Sequence, residues 1–194
     1  MNDTLLWYTT RAAGAVSLVL LSIVTALGLL TAARAGGGRW PRFMTAALHR
    51  DLALVALVFL TLHIVTAAVD PFTHLGIAAV VVPFGSYYRT FWLGLGTVAF
   101  ELLLAVIATS LLLRVVSLRA WRLVHWTSYA MWPIAVVHGI GTGTDSFSLI
   151  MLAANIACVG LVGCAALWRL MTPTHPLVAE KRVGVALASA GPRR

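Results

Sequence analysis

Long apolar runs separated by short polar connections set the rhythm of this chain. Five are readable, at residues 11–33, 44–69, 90–116, 119–140 and 147–170. Each is long enough to cross a ~30 Å hydrocarbon core as a helix, which needs about 20 apolar residues. In lipid the helix is the favoured form, because it satisfies its own backbone hydrogen bonds. The expected fold is all-α: an integral membrane helical bundle of about five transmembrane helices. Ala33-Arg34-Ala35 resembles a signal cleavage site. The run before it is longer than a signal core and only Arg11 precedes it, so a retained first helix is expected. Residues 70–89 are apolar in their middle but too short to span, which predicts a re-entrant or interfacial segment over one end of the bundle. Beyond Thr172, Pro173, Pro176 and a run of small and charged residues predict a flexible cytoplasmic tail, residues 172–194.

Polar residues inside these runs are few, and four of them are histidines. His49 and His63 lie fourteen positions apart in the second run, and His125 and His138 thirteen apart in the fourth. At ~1.5 Å per residue each pair is about 20 Å apart along its axis, one histidine near each face of the membrane. Side by side, the two helices set His49 against His125 at one level and His63 against His138 at the other. Two levels with two facing imidazoles each is the ligand set of two stacked bis-histidine haems. Fourteen residues return to nearly the same helix face. Thirteen leave His138 about 140° from His125 in an ideal helix, so a distortion is expected around Met131-Trp132-Pro133, where Pro133 removes a backbone donor.

Composition sharpens this picture. The chain has 194 residues, 60% of them hydrophobic, with a mean hydropathy of +0.93 and 10% charged residues, far from the balance of a water-soluble domain. The net charge of +8 reports orientation rather than nucleic acid, since no basic patch is interleaved with aromatics. Arg34, Arg39, Arg42 and Arg50 gather at the first connection, and Arg114, Arg119 and Arg122 at the third. Arg169, Lys181, Arg182, Arg193 and Arg194 follow the last run. The alternate connections hold Asp70, Arg89 and Asp145. The positive-inside rule then expects the N-terminus outside and the C-terminus in the cytoplasm. Aromatic groups at Trp7-Tyr8, Trp40, Tyr87-Tyr88, Phe91-Trp92, Trp121 and Trp168 fall near the expected interfaces.

Intramembrane histidines are costly and are functional candidates; the plain alternative for any one of them is a helix-to-helix hydrogen bond. His74 and His175 fall outside the paired pattern and read as interfacial or solvated. Zinc or copper would ask for three or four ligands in one cluster, whereas these divide into two levels. A proton relay would ask for carboxylates along the path, and Glu101 is the only one in the middle of a run, Asp51 standing near the start of the second. Cys158 and Cys164 point to different faces of one helix and read as structural thiols. Without Cys-x-x-Cys-His, any haem is held non-covalently. Arg50, Arg119 and Arg122 at the inner level, and Arg11 and Arg89 at the outer, are candidate propionate contacts, with headgroup anchoring as the alternative. Phe59, Met131 and Trp132 lie between the levels as candidate inter-haem packing. Gly139, Gly141 and Gly143 mark an open outer loop.

The arrangement His49-x13-His63 and His125-x12-His138, on helices separated by one span, resembles the ferric reductase-like transmembrane domain. NADPH oxidases, yeast-type ferric reductases and the bacterial haem-binding subunits of the methionine sulfoxide reductase system share that domain. The resemblance covers residues 7–171 and implies a haem-binding membrane domain over residues 1–171. It implies His49 and His125 on an inner haem b, His63 and His138 on an outer one, and electrons moving outward. The NADPH oxidase type has an extra N-terminal helix and a C-terminal flavin and nicotinamide domain, neither of which is expected here. The donor is then a separate flavoprotein or a membrane quinol, and the acceptor is ferric iron, oxygen or an external partner redox protein. A quinone or flavin as bound cofactor has no sequence signal.

The expectation is a di-haem transmembrane electron-transfer protein in the lipid of a bacterial cytoplasmic membrane, the reductase component of an oxidoreductase. The second reading is a haem-binding anchor subunit of a partner oxidoreductase, with no substrate site of its own. The third is a haem-free transporter whose histidines serve protons or packing.

Overall fold

The structure is a computed structural model describing residues 3–32, 42–71 and 75–172, and every regular element among the described residues is helical. In chain order these are α1 (Asp3–Ala32), α2 (Arg42–Val69), α3 (Gly76–Val81), α4 (Thr90–Leu111), α5 (Leu118–Trp126), α6 (Ser128–Thr142) and α7 (Leu149–Met171). Arg34, Arg39, Trp40, His74, His175, Lys181, Arg182, Arg193, Arg194 and the expected flexible tail beyond Thr172 lie outside the described residues.

Four helices are long and apolar enough to cross a membrane: α1 over Leu5–Ala32, α2 over Phe43–Val69, α4 and α7, with mean hydropathies between 2.1 and 2.5. Their outward faces are apolar too. On α2, Leu54, Val58, Leu62 and Val65 are exposed along one stripe, which suits contact with lipid chains. The chain is thus an all-α membrane bundle.

Two expected spans come out shorter. The run at residues 90–116 is helical only to Leu111; residues 112–116 form a turn in which the N–H groups of Val115 and Val116 both donate to Leu112 O at 2.9 Å. The run at residues 119–140 is two helices rather than one, parted at Thr127. There Thr127 N–H reaches back three residues to Val124 O at 3.0 Å. The Thr127 hydroxyl donates to Val124 O and the Ser128 hydroxyl to His125 O, each at 2.7 Å. Adjacent hydroxyls bonded to carbonyls three residues back tighten the turn and interrupt the ladder. The distortion expected at Met131-Trp132-Pro133 therefore lies earlier in the chain, and α6 carries Pro133 inside its second turn.

α1 is the hub, packing against α2, α6 and α7, while α4 packs against α5 and α6. Its contact with α6 and α7 forms the core: Leu21, Ala26 and Leu29 of α1 meet Trp132 and Val136 of α6 and Cys158, Val162 and Ala165 of α7, with Ala56 of α2 joining them. Ser22 is fully enclosed there, and the Trp132 indole N–H donates to its Oγ at 2.9 Å. The segment at residues 70–89 forms the short helix α3, which bridges α2 and α4. It is tied down where the Thr97 hydroxyl donates to Ala79 O at 2.9 Å. Phe84 adopts the left-handed φ of 62° and lays its ring against Gly94, where a side chain would collide with it.

Candidate paired-imidazole site

Heptad spacing decides which way α2 points its polar residues. His49, Ala56, His63 and Asp70 recur every seven residues, so they lie within about 20° per step of one face. That face is inward: Ala56 and Asp70 are 1% and 6% exposed. No extended packing joins α2 to α4, α5 or α6, so a slot runs between them, closed on one side by α1.

Across this slot the histidines meet in two pairs. His49 faces His125 with ring centroids 6.4 Å apart, and His63 faces His138 with centroids again 6.4 Å apart. The ring planes are turned from one another by 55° and 78°. With metal–nitrogen bonds of about 2 Å and about 1 Å from each nitrogen to its ring centre, two imidazoles on a linear axis through one metal have centroids roughly 6 Å apart. Both pairs have that separation. The break at Thr127 contributes to the second pairing, because it separates the helix bearing His125 from the helix bearing His138.

Three of the four rings are fixed by one recurring device. His63 Nδ1–H donates to Thr10 O at 2.8 Å, His49 Nδ1–H to Val24 O at 2.9 Å and His138 Nδ1–H to Trp92 O at 2.8 Å. A carbonyl only accepts, so the proton sits on Nδ1 and the neutral ring keeps its lone pair on Nε2, the tautomer a metal ligand needs. Four residues after each acceptor stands a glycine: Gly14, Gly28 and Gly96. Each lies against the same ring, and an added Cβ would come within 2.8 Å of His63, 3.3 Å of His49 and 2.5 Å of His138. The glycine bares the helix backbone so that an imidazole can reach a carbonyl already used by the helix. On α1 the two glycines are fourteen apart, as are the two histidines of α2 they receive.

A cavity of about 330 Å³ lies beside the His63–His138 pair and reaches towards the middle of the bundle, where Leu21, Leu60, Leu103 and Met131 line it. Its rim is polar. Arg11 borders it, forms an ion pair with Asp145 and lies over the Trp7 ring at 5.4 Å, and its Nε is buried without a hydrogen-bond partner. Arg89, in the left-handed region at φ 43°, donates instead to Gly141 O at 2.7 Å. At the other level Arg50 is exposed and bound to its neighbour Asp51 at 3.0 Å, and Arg119 and Arg122 are exposed. Of the three residues expected between the levels, Met131 lines the cavity, Trp132 belongs to the core against α1 and α7, and Phe59 is half-buried on α2.

Among the described residues no three or more His, Cys, Asp or Glu side chains converge as a protein-only metal site would. What converges is two pairs. Such a pair suits a metal whose remaining ligands come with it, as in a flat macrocycle, and the glycine-backed rings and apolar cavity fit such a group. The sequence assigns no site role to Gly14, Gly28 or Gly96, and reads Asp145 only as a loop charge and Trp121 only as an interfacial aromatic, whereas Asp145 pairs with Arg11 and the Trp121 ring stacks on His125 at 4.9 Å. The matched fourteen-residue spacings of glycines and histidines were the available signal. No family model, curated protein or solved structure matches the chain.

Proposed function

We propose that this chain is a multi-pass membrane cytochrome that carries electrons across the bilayer through two non-covalent haems b. His49 and His125 hold one and His63 and His138 hold the other. The observation that carries this reading is the repeated 6.4 Å separation of facing imidazoles at two depths of one membrane bundle. Bound haem iron supplies one-electron redox chemistry that no side chain here offers.

The chain's own residues ligate, orient and exclude water. The Nδ1–H bonds to Val24, Thr10 and Trp92 carbonyls aim the Nε2 lone pairs and raise ligand basicity. Leu21, Leu60, Leu103 and Met131 keep the space between the levels apolar. The free Nε of Arg11 offers a donor to a carboxylate of a group lying in the cavity. The excess of arginine at the His49–His125 end supports placing that end in the cytoplasm, which makes His63–His138 the outer level. Electrons then enter from a separate flavoprotein or a quinol inside and leave to ferric iron, oxygen or a partner redox protein outside. The ferric reductase-like family resemblance supports the same direction, and a bacterial cytoplasmic membrane is the corresponding location.

The test is a reduced-minus-oxidised spectrum of the purified chain with a pyridine haemochrome count. Two b haems per chain are expected, and His63→Ala or His49→Ala each removes one. A colourless protein overturns the reading.

A further inference from the structure

His125 stands apart from the other three histidines. Its Nδ1 is buried and has no hydrogen-bond partner among the described residues. It is the next-to-last residue of α5, a nine-residue helix that ends against the Thr127 break. None of the ring-backing glycines lies against it: among the described residues Gly14, Gly28 and Gly96 receive His63, His49 and His138. What holds the ring is the face of Trp121, stacked at 4.9 Å with planes 30° apart, itself kept in place where its indole N–H donates to Ser110 Oγ at 3.2 Å. Stacking limits tilt but does not set the tautomer, and it leaves the ring free to slide along the tryptophan face.

An imidazole that donates its second N–H to a carbonyl is a better and better-aimed metal ligand, and losing such a partner typically costs 10–100-fold in metal affinity. The His49–His125 level thus pairs one anchored ligand with one unanchored ligand, whereas both ligands of the other level are anchored.

We propose that His125 is an exchangeable ligand, so that the His49–His125 level is a binding site for small uncharged π-acceptor molecules of the carbon monoxide class. This rests on the haem reading given under the proposed function. In the exchange the bond from the His125 nitrogen to a bound ferrous iron would break with its electron pair staying on the imidazole, and the carbon atom of the incoming molecule would bond the iron with its own pair, with no proton or electron transferred. His49 stays in place through its bond to Val24 O. The weakness lies at the level with the shorter helix, the one nearer the expected electron entry.

The experiment is a carbon monoxide titration of the dithionite-reduced, haem-loaded full chain in detergent, read by difference spectroscopy beside the haem count. One of the two haems is expected to respond. Trp121→Ala removes the stack and should speed that response ~10-fold, in line with the loss of a supporting contact to a ligand. Trp7→Ala, an equal loss beside the other level, should leave it unchanged. If Trp121→Ala instead sheds the nearby haem, the responsive fraction must vanish with it. Two haems with no response, or both responding alike, overturn the exchange and leave the electron-transfer reading standing. A response quickened by Trp7→Ala and not by Trp121→Ala also overturns it. Absence of haem overturns both.

Discussion

Gly14 and His63 touch so closely that a methyl group on the glycine would lie 2.8 Å from the imidazole Nδ1, the atom that donates to Thr10 O. The contact is tighter than van der Waals packing allows, and the neighbour is a ring with little freedom to retreat. Gly14→Ala should therefore displace His63 and weaken the haem retention proposed for that level by about 10-fold or more, the usual cost of disturbing a ligand's support. Gly96→Ala should be as severe, with 2.5 Å to His138, and Gly28→Ala milder, with 3.3 Å to His49. Gly139→Ala meets nothing within 4 Å and serves as the control. Haem content per chain after purification orders the four variants.

Much of this architecture is legible in the sequence. Apolar run length and charge-poor composition identify the membrane helices, because the bilayer tolerates few alternatives. The histidine pairing is legible because the interval His49–His63 nearly repeats in His125–His138. The supporting glycines were equally visible, since Gly14 and Gly28 share the fourteen-residue spacing, but a glycine in an apolar run reads as ordinary helix packing. Their meaning depends on which helix lies opposite, and no one-dimensional pattern states that. The break at Thr127 escaped for a different reason. Pro133 is the strong local signal, yet a proline near a helix start loses little, while two hydroxyls back-bonded at Thr127 and Ser128 are a weak signal with a large effect.

The Trp132–Ser22 hydrogen bond should contribute to stability without touching the paired imidazoles. It lies in the α1–α6–α7 core and joins none of the four imidazoles. Intramembrane hydrogen bonds average ~0.6 kcal/mol and reach ~1.7. Ser22→Ala leaves the indole N–H without its acceptor in an enclosed site, so a loss near the upper end is expected, with an unaltered haem spectrum. Thermal unfolding in detergent, followed beside the spectrum, decides this. A spectral change at either level would place Trp132 in the electron path instead.

Two ion pairs invite comparison because their surroundings differ. Arg11 and Asp145 join α1 to the connection between α6 and α7, with side-chain exposures of 19% and 37%. Arg50 and Asp51 are sequence neighbours, 73% and 61% exposed. Exposed pairs contribute little, a median of ~0–1 kcal/mol. Asp51→Asn should therefore leave the melting temperature unchanged. Asp145→Asn should lower it, because Arg11 then keeps a half-enclosed charge without its carboxylate partner. The same variant should also change the spectrum of the His63–His138 level, since Arg11 borders that cavity.

Thr127 and Ser128 carry the last prediction. An uninterrupted helix from Leu118 to Thr142 would turn His138 about 140° away from His125, and both rings could not face α2. The observed break removes that conflict: it ends α5 one residue after His125 and starts α6 at Ser128. The hydroxyls that tighten it bond to Val124 O and His125 O at 2.7 Å. The double variant Thr127→Ala, Ser128→Ala restores strong helix formers and frees both carbonyls for regular i to i+4 bonds. α6 is anchored in the core through Trp132 and Val136, and α5 is not, so the straightening should swing His125 rather than His138. Loss of the haem at the His49–His125 level is expected, with the other level retained. Pro133→Ala should spare both levels, because α6 already accommodates the proline. Haem counts and difference spectra of the two variants check this directly. If Pro133→Ala removes a haem and the double variant does not, the proline sets the ligand register and the hydroxyls only decorate it.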